Sequence, residues 1–591
     1  MCGFLGAISY DIINKEQVIN ANDSIVCRGP DNKQLLNFNL KDINFSLVFN
    51  RLSILDLSHT ANQPMESVTT KNVVMFNGEI YNHLELRKNL ESKGIKFKTD
   101  HSDTEVILNG LDSEGTNFIS KLRGQFAIFY LDKKNNKFYL IRDRLGQKPL
   151  YFYFNGKKVL FSSSLKPIKE MVKTSKIVEK EIYNYIKYGI ISSPSTLFQD
   201  FYKVLPSEII EFTFKNDKFE LSNKIYWKSI DYVDEKNFQD DSFFEIFSES
   251  VKLRQVADVP VANFLSGGVD STSIVKIMHD LGLKINTFTV KQNNSKYDES
   301  NFAKEVSQKY STNHTEVNLS SEIDFNIINL AIESLDEPFS DPSIVPSYLI
   351  ANEISKYYKV AISGDGGDEL LGGYKRINLA LSSKNSLQNF ISQFYRLYPP
   401  FLGTGAKLMN LSKNNWKRYS VFIEDIKLLD LLNINSFETD KFQELHNSTG
   451  SYKDLLLADY KVYLSEMMMY KVDRTSMINS LEVRSPFVDH KLVEYILSCD
   501  IENMCKAHPK AILKNNLLND FDSSFVNREK RGFVFDLQSW VFKNENYFFD
   551  SISQSNLNSL LNLNKLKLLK LNKSNINAQR IWKLYILSRF I

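Results

Sequence analysis

The stretch Val259-Pro260-Val261-Ala262-Asn263-Phe264-Leu265-Ser266-Gly267-Gly268-Val269-Asp270-Ser271 decides how the larger part of this chain is read. Val259 to Leu265 is an apolar run, interrupted by Pro260 and Asn263, and predicts a buried strand. After Asp270, apolar residues recur at Ile274, Ile277, Met278 and Leu281, which is one face of a helix. Between strand and helix lies a glycine pair flanked by two serines and an aspartate. Bare backbone N–H groups and a positive dipole end then meet at one point, which suits a phosphate. The loop has no Gly-x-x-x-x-Gly-Lys-Ser/Thr pattern, so it lacks the lysine of kinase-like NTPases. Its charged side chain, Asp270, would repel phosphate unless a cation stood between them, which favours Mg²⁺ held against a pyrophosphate. A serine-glycine turn ending in a plain helix cap is the alternative.

Downstream, Ile285–Val290 predicts another strand, Ser300–Tyr310 a helix and His314–Val317 a further strand. That alternation predicts a parallel sheet with ligands at the carboxyl ends of its strands, where Val290 would meet adenine. Lys359–Ser363 is a later strand that runs into Gly364-Asp365-Gly366-Gly367-Asp368-Glu369. Several carboxylates beside a phosphate cradle again imply Mg²⁺, against an exposed acidic turn. Leu335–Phe339 and Asp341-Pro342 are expected to line the pocket nearby.

The whole chain sets bounds on this reading. At 591 residues, two or more domains are expected. With 43% hydrophobic and 24% charged residues it has the composition of a soluble globular protein. A net charge of +3 over this length makes no case for nucleic acid or a membrane as partner. Four scattered cysteines fit neither a disulfide framework nor a zinc site. Without a membrane-length apolar segment or a signal peptide, a reducing cytoplasm is the expected location, with Cys2 a free thiol.

Upstream, Phe243–Leu253 predicts a helix leading into the opening strand, and the pattern loosens from about Leu205 to Asp241. The expected division is therefore a first domain over residues 1–210, a linker over 211–241 and a second domain over 242–591. The first domain begins Met1-Cys2-Gly3 and then Phe4–Ile8, a short strand. Removal of Met1 would leave a cysteine whose own α-amine, with an ordinary pKa near 8, can serve as its base. Taken alone, a cysteine at this position is usually incidental. It is accompanied, however, by Arg28-Gly29-Pro30-Asp31, Asn50-Arg51-Leu52-Ser53, Gln63-Pro64-Met65, Phe76-Asn77-Gly78-Glu79 and Ser102-Asp103-Thr104-Glu105.

This set resembles the class II glutamine amidotransferase domain, an N-terminal-nucleophile fold of stacked β-sheets between helices. The resemblance implies that Cys2 attacks the glutamine amide, with Asn77 and the Gly78 N–H forming the oxyanion hole. It implies that Arg51 pairs with the glutamine carboxylate while Glu79 and Asp103 face its α-amine. The chemistry agrees, since a planar guanidinium suits a carboxylate and fixed neutral donors suit an oxyanion. Singly, Asn77-Gly78 could be a hairpin turn, and Arg51 and Asp103 solvated surface. Cys27 and Asn50 depart from the family pattern, which has histidine and a second basic residue there.

In the second half, Tyr470-Lys471-Val472-Asp473-Arg474 and Leu481-Glu482-Val483-Arg484-Ser485-Pro486 resemble the glutamine-hydrolysing asparagine synthetase family. Lys506–Lys514 and Asn527-Arg528-Glu529-Lys530-Arg531-Gly532-Phe533 match further motifs of that family. By that match Lys510 contacts the α-phosphate, where a solvated helix face is the alternative. The implied architecture is an αββα sandwich followed by a parallel-sheet α/β domain of the ATP-pyrophosphatase type, with a helical C-terminal part. ATP and pyrophosphate would contact Leu265, Ser266, Gly267, Gly268, Asp270, Ser271, Val290, Ser363, Gly364 and Asp365. Mg²⁺ would lie on Asp270 and Asp368.

The implied reaction releases ammonia from glutamine through a thioester, adenylates a carboxylate with ATP and displaces AMP with ammonia carried through an internal channel. Aspartate is the expected acceptor, with a sugar uronic acid or a peptide carboxylate as the alternative. A regulatory binder without turnover would need no nucleophile. A homodimer is compatible with the family pattern. Ser555–Asn577, rich in leucine, asparagine and lysine, predicts an amphipathic helix packed on the surface, with a membrane-surface role as its alternative.

Overall fold

The computed structural model describes residues 2–291, 298–318, 323–433, 435–437, 450–500, 502, 505, 509–528, 535–562 and 566–591. Of the stretches quoted above, residues 1, 506–508, 529–533 and 563–565 lie outside this set.

The first half contributes β1 (Gly3–Ser9), β2 (Asn32–Leu40), β3 (Ile43–Arg51), β4 (Met65–Glu66), β5 (Val73–Ile80) and β6 (Gly124–Asp132). It continues with β7 (Lys137–Arg142), β8 (Tyr151–Phe154), β9 (Lys158–Ser162), β10 (Phe201–Lys203), β11 (Glu208–Lys215) and β12 (Lys218–Ile225). They form two antiparallel sheets in the orders β10-β8-β9-β1-β3-β2 and β12-β11-β7-β6-β5-β4. The two-residue period of each strand explains the layering. From β1, Phe4 and Ile8 enter the core between the sheets, where Phe49, Met75, Phe129 and Phe161 meet them. Leu5 and Ala7 point the other way, to the core that holds Leu165 and Ile182 of the outer helices Leu165–Val172 and Glu179–Tyr188. Across the sandwich, Val74 and Phe76 of β5 pack with Val106 and Leu111 of the helix Asp103–Glu114. The result is helix, sheet, sheet, helix.

The second half carries β13 (Val261–Phe264), β14 (Asn286–Lys291), β15 (Asn313–Asn318), β16 (Val360–Ile362) and β17 (Glu482–Arg484). They form one sheet in the order β15-β14-β13-β16-β17, parallel throughout. Strand order reverses between β13 and β16, which is where open parallel sheets leave a crevice for ligands. Both glycine-rich loops emerge there.

Two expectations are corrected. The linker expected over 211–241 is strand as far as Ile225, because β11 pairs with β7 from Ile209–Ile141 to Thr213–Lys137 and β12 pairs with β11. Its loosened, polar pattern belongs to an edge strand, exposed at all but one residue of Lys218–Ile225. Nor is Ser555–Asn577 one helix. Asn556–Leu560 and Leu568–Lys570 are short 3₁₀ turns, and the terminal helix starts at Asn575 with Ser574 accepting from the Asn577 N–H. Leu557, Leu561, Leu566 and Leu569 are all buried in one core, so apolar spacing there marks anchors of short turns rather than one helix face.

Buried ion pairs join the two halves. Arg28 meets Asp473 through two bonds of 2.9 and 3.1 Å, Lys203 meets Glu337 at 2.6 Å, and Arg123 meets Asp489 at 2.9 Å, beside Arg254 of the second half. Burial alone would raise the Asp473 pKa, but Arg28 and Arg474 outweigh it and hold that carboxyl down to about 2.

Candidate active site

Two constellations emerge, one in each half. In the first, Cys2 immediately precedes β1, buried, and its backbone N–H donates to Asn77 Oδ1 at 3.0 Å. The amide Nδ2 of Asn77 is buried with no hydrogen-bond partner, a donor left available beside the thiol. Next to it, Gly78 is held against β6 so closely that a Cβ would stand 1.9 Å from the Gln125 carbonyl oxygen. No other residue fits there. A cavity of about 370 Å³ is lined by Cys2, Arg51, Gly78, Glu79 and Asp103 together with Glu482. Cys27 and Asn50 do not line it. Burial pushes the Cys2 thiol up, so it needs a base close at hand.

The charged residues behave less simply than expected. The Arg51 guanidinium donates to the Ser58 and Leu55 carbonyls (2.8 and 3.3 Å), to that of Asp56, and to Asn62 Oδ1 (2.7 Å). It pins the loop 55–62 at the pocket wall, and a substrate carboxylate would have to exchange for some of these bonds. Glu79 gives one oxygen to Arg484 at 3.1 Å, while its other oxygen has no partner. Burial raises both Glu79 and Asp103, the latter accepting the Ile80 N–H at 3.0 Å. Two buried carboxyls poised in this way ionise readily when a cation enters.

Glu482 and Arg484 are the residues the sequence reading did not place here. Both lie on β17 of the second half, spaced by two and so on one side of the strand. Arg484 is fully buried and donates to Glu482 at 2.6 Å and to the Arg254 and Val256 carbonyls, while Gln125 of β6 donates to Glu482 at 3.1 Å. Their signal in the sequence is two charges inside an apolar strand.

The second constellation occupies the crevice between β13 and β16. Leu265 N–H continues the sheet by bonding the Phe288 carbonyl. Gly267 has φ +72°, and a Cβ there would meet the backbone of Phe302 at 2.7 Å, so the turn requires glycine. Ser266 Oγ accepts the Gly268 N–H at 3.2 Å and lies 3.2 Å from Ser271 Oγ. The helix Val269–Asp280 starts at Gly268 without a side-chain cap, leaving its first N–H groups free of one. From the adjoining strand, Ser363 bonds Asp365 at 2.7 Å, and Gly364 and Gly367 lie directly against Asp270. Val290, buried, lies near the end of β14. Asp365 is turned toward Ser363.

Lys510 joins the loops. Its Nζ stands 2.5 Å from Asp270 and 2.5 Å from Asp368, across 240 positions of sequence in the first case. It precedes the helix Ala511–Leu517 in a left-handed conformation, φ +58°, which turns the side chain into the crevice. Among the described residues no group of three or more histidine, cysteine or acidic side chains could enclose a metal. Two carboxylates fit Mg²⁺, which keeps its waters and takes one or two carboxylates with phosphate oxygens. Asp270 Oδ1 is buried without a partner, an oxygen suited to that role. Arg528 donates to the Gly267 carbonyl and so holds the first loop from below, its guanidinium 3.9 Å from the Phe302 ring.

Glu369, in the acidic loop, is buried, accepts from Tyr374 at 2.7 Å and is pushed up to about 7 by burial and by its neighbour Asp368. Glu337 and Phe339 line a different space from the crevice between β13 and β16. They border a cavity of about 520 Å³ between the halves, with Tyr151, Ile191, Tyr470 and Arg474.

This arrangement has relatives. Residues 243–590 match the asparagine synthase family model, and residues 1–227 match that of the glutamine amidotransferase domain. The chain belongs to the glutamine-hydrolysing asparagine synthetase family. It is an ATP-dependent amidoligase with glutamine as its nitrogen donor. Asparagine synthetase [glutamine-hydrolyzing] 1 of Bacillus subtilis is 30% identical over 569 residues, covering 92% of this chain and 88% of that one. Asparagine synthetase [glutamine-hydrolyzing] 3 of the same organism is 26% identical over 568 residues, with 90% and 86% covered. No helix among the described residues is long and apolar enough to cross a membrane.

Proposed function

We propose that this amidotransferase makes asparagine from aspartate, with Cys2 as the glutaminase nucleophile. Once residue 1 is removed, the Cys2 α-amine takes the thiol proton and Sγ attacks the glutamine amide carbon. Asn77 Nδ2 and the Gly78 N–H stabilise the oxyanion. The α-amine returns its proton to the departing nitrogen, ammonia leaves, and water hydrolyses the thioester to glutamate. Glu79 and Asp103 receive the substrate ammonium, and Arg51 its carboxylate.

In the second half, an acceptor carboxylate oxygen attacks the α-phosphorus of ATP. The bond to the bridging oxygen breaks, and pyrophosphate leaves into the loop Ser266–Ser271. Lys510 follows the charge onto the α-phosphate. Mg²⁺ on Asp270 and Asp368 would neutralise the pyrophosphate when bound. Ammonia then attacks the acyl carbon, Glu369 takes a proton from the nitrogen, and AMP leaves. Ammonia would pass between the two sites inside the protein.

The observation that carries this reading is Lys510 bridging Asp270 and Asp368 at the switch point of the sheet. A lysine absent from the loop motif is supplied there from far downstream. Incubation with glutamine, ATP, Mg²⁺ and aspartate should yield asparagine, AMP and pyrophosphate in equal amounts. ADP in place of AMP would rule out adenylation. Absence of pyrophosphate release with aspartate, but release with a sugar uronic acid, would move the acceptor to that class.

A further inference from the structure

The net charge of +3 averages over a segregated distribution. Residues 370–423 contain eight lysines and arginines and no aspartate or glutamate, and residues 551–591 contain seven, again with no acidic residue. The rest of the chain is correspondingly net acidic. The fold brings the two acid-free stretches together. Asn577 donates to the Phe401 carbonyl at 2.9 Å, Arg580 donates to that of Pro400, and Gly403 lies against Ile576.

On this basic region an apolar helix face points outward. The helix Ser386–Ser392 continues as a 3₁₀ turn over Gln393–Leu397. Ser392 and Tyr395 turn inward and are buried. Leu387, Phe390, Ile391, Phe394 and Leu397 are 67, 57, 37, 50 and 77% exposed, spaced as one helical face. Leu402, Leu571 and Ile576, near the junction of the stretches, are exposed as well. A surface helix ordinarily turns such a stripe into the core. Here it faces solvent, and Arg396, Lys407, Lys413 and Lys417 are exposed on the same stretch.

We propose that this surface seats the enzyme on an anionic lipid bilayer, the helix Ser386–Leu397 lying in the interface. Apolar side chains would enter the acyl boundary while the lysines and arginines meet headgroup phosphates. Charge selects this occupant over a second copy of the chain, since self-pairing would set the exposed Arg396, Lys407, Lys413 and Lys417 of the two copies against one another. A nucleic acid would satisfy the cations but leave the aliphatic side chains without a partner. Association is peripheral, since no described helix is of spanning length.

Cosedimentation of the full chain with phosphatidylcholine vesicles, with and without about one-third phosphatidylglycerol, tests this. The bound fraction should rise about tenfold or more with the anionic lipid and fall as salt is raised. The double variant F390D/F394D should fall to the neutral-vesicle level while glutaminase activity and far-ultraviolet circular dichroism stay unchanged. Lys407→Glu with Lys417→Glu, which leaves the apolar face intact, should lower binding to the anionic vesicles alone. Ile12→Asp, at a residue 92% exposed in the first half, should bind like the parent. Equal binding by parent and F390D/F394D, or no preference for anionic lipid, would overturn the proposal. So would a dimer, or a bound single-stranded oligonucleotide, that is lost in F390D/F394D while no vesicle binds.

Discussion

The Cys2 pocket and the crevice between β13 and β16 both bury acidic side chains, but they balance the charge in opposite ways. The pocket borrows its countercharge. Arg484 reaches Glu79 from the other half of the chain, and the guanidinium is bound on its remaining sides by Glu482 and two backbone carbonyls. The crevice supplies its own. Lys510 sits between Asp270 and Asp368 on a flexible stem, a cation that can move as phosphate and metal arrive. A fixed guanidinium suits a site where the α-ammonium and α-carboxylate of the substrate keep their charges through the reaction. A mobile ammonium suits one where charge shifts from triphosphate to pyrophosphate and AMP.

The sharpest way to break this contrast is to remove the nucleophile. Cys2→Ala should lower glutamine-dependent amide formation about 10⁴-fold or more while ammonium-driven pyrophosphate release stays within about twofold. Loss of both would mean the sites cannot be separated. Next, Lys510→Ala leaves two carboxylates facing each other and should cut adenylation about 10²- to 10³-fold, with glutaminase turnover untouched. Pyrophosphate release and glutamate release, assayed side by side, decide it.

Arg484→Gln reverses the pairing of site and domain, because a second-half substitution should impair the first-half reaction. Leaving Glu79 and Glu482 without their partner should destabilise the fold by about 3 kcal/mol, read from denaturant midpoints, and raise the glutamine KM. An unchanged KM would remove Arg484 from the pocket's electrostatics.

The smallest effect concerns pH. Glu369 keeps its proton to about 7 in the folded state, against 4.5 ordinarily. Its contribution to stability is therefore full below 4.5 and is lost as pH rises through 7. The base form needed to accept a proton appears over the same range. Amidation compared at fixed free ammonia should rise through pH 7 in the parent, and Glu369→Gln should flatten that limb. A parent profile flat from 6 to 8 would dismiss Glu369 as the proton acceptor.

Local chemistry was legible in the sequence. The run Val261–Ser271 gave strand, turn and helix because each follows from neighbouring residues, and Phe4–Ile8 gave the nucleophile strand for the same reason. Cys2, Asn77, Gly78, Glu79 and Asp103 do converge. What stayed hidden depends on distance and burial. Arg484 meets Glu79 across 405 positions, which no spacing rule reaches. Glu369 differs from Asp365 and Asp368 through its depth and through the Tyr374 hydroxyl, not through the motif they share. Composition misled twice. The polar edge strand β12 resembled a linker, and the leucines after Ser555 resembled a helix where they anchor separate turns.

Strand β17 is three residues long, yet it is a wall common to both chambers. The side chains of Glu482 and Arg484 face the glutaminase pocket, while the Arg484 carbonyl accepts the Ser363 N–H at 2.9 Å and the next residue, Ser485, donates to the Asp365 carbonyl of the acidic loop. The chain is therefore not two enzymes on a string that could be cut apart at the end of β12. The first half expressed alone would expose Arg28, Arg123 and Glu79 without Asp473, Asp489 and Arg484, and its pocket would lack the Glu482 wall. Through this wall the two halves share one packing surface.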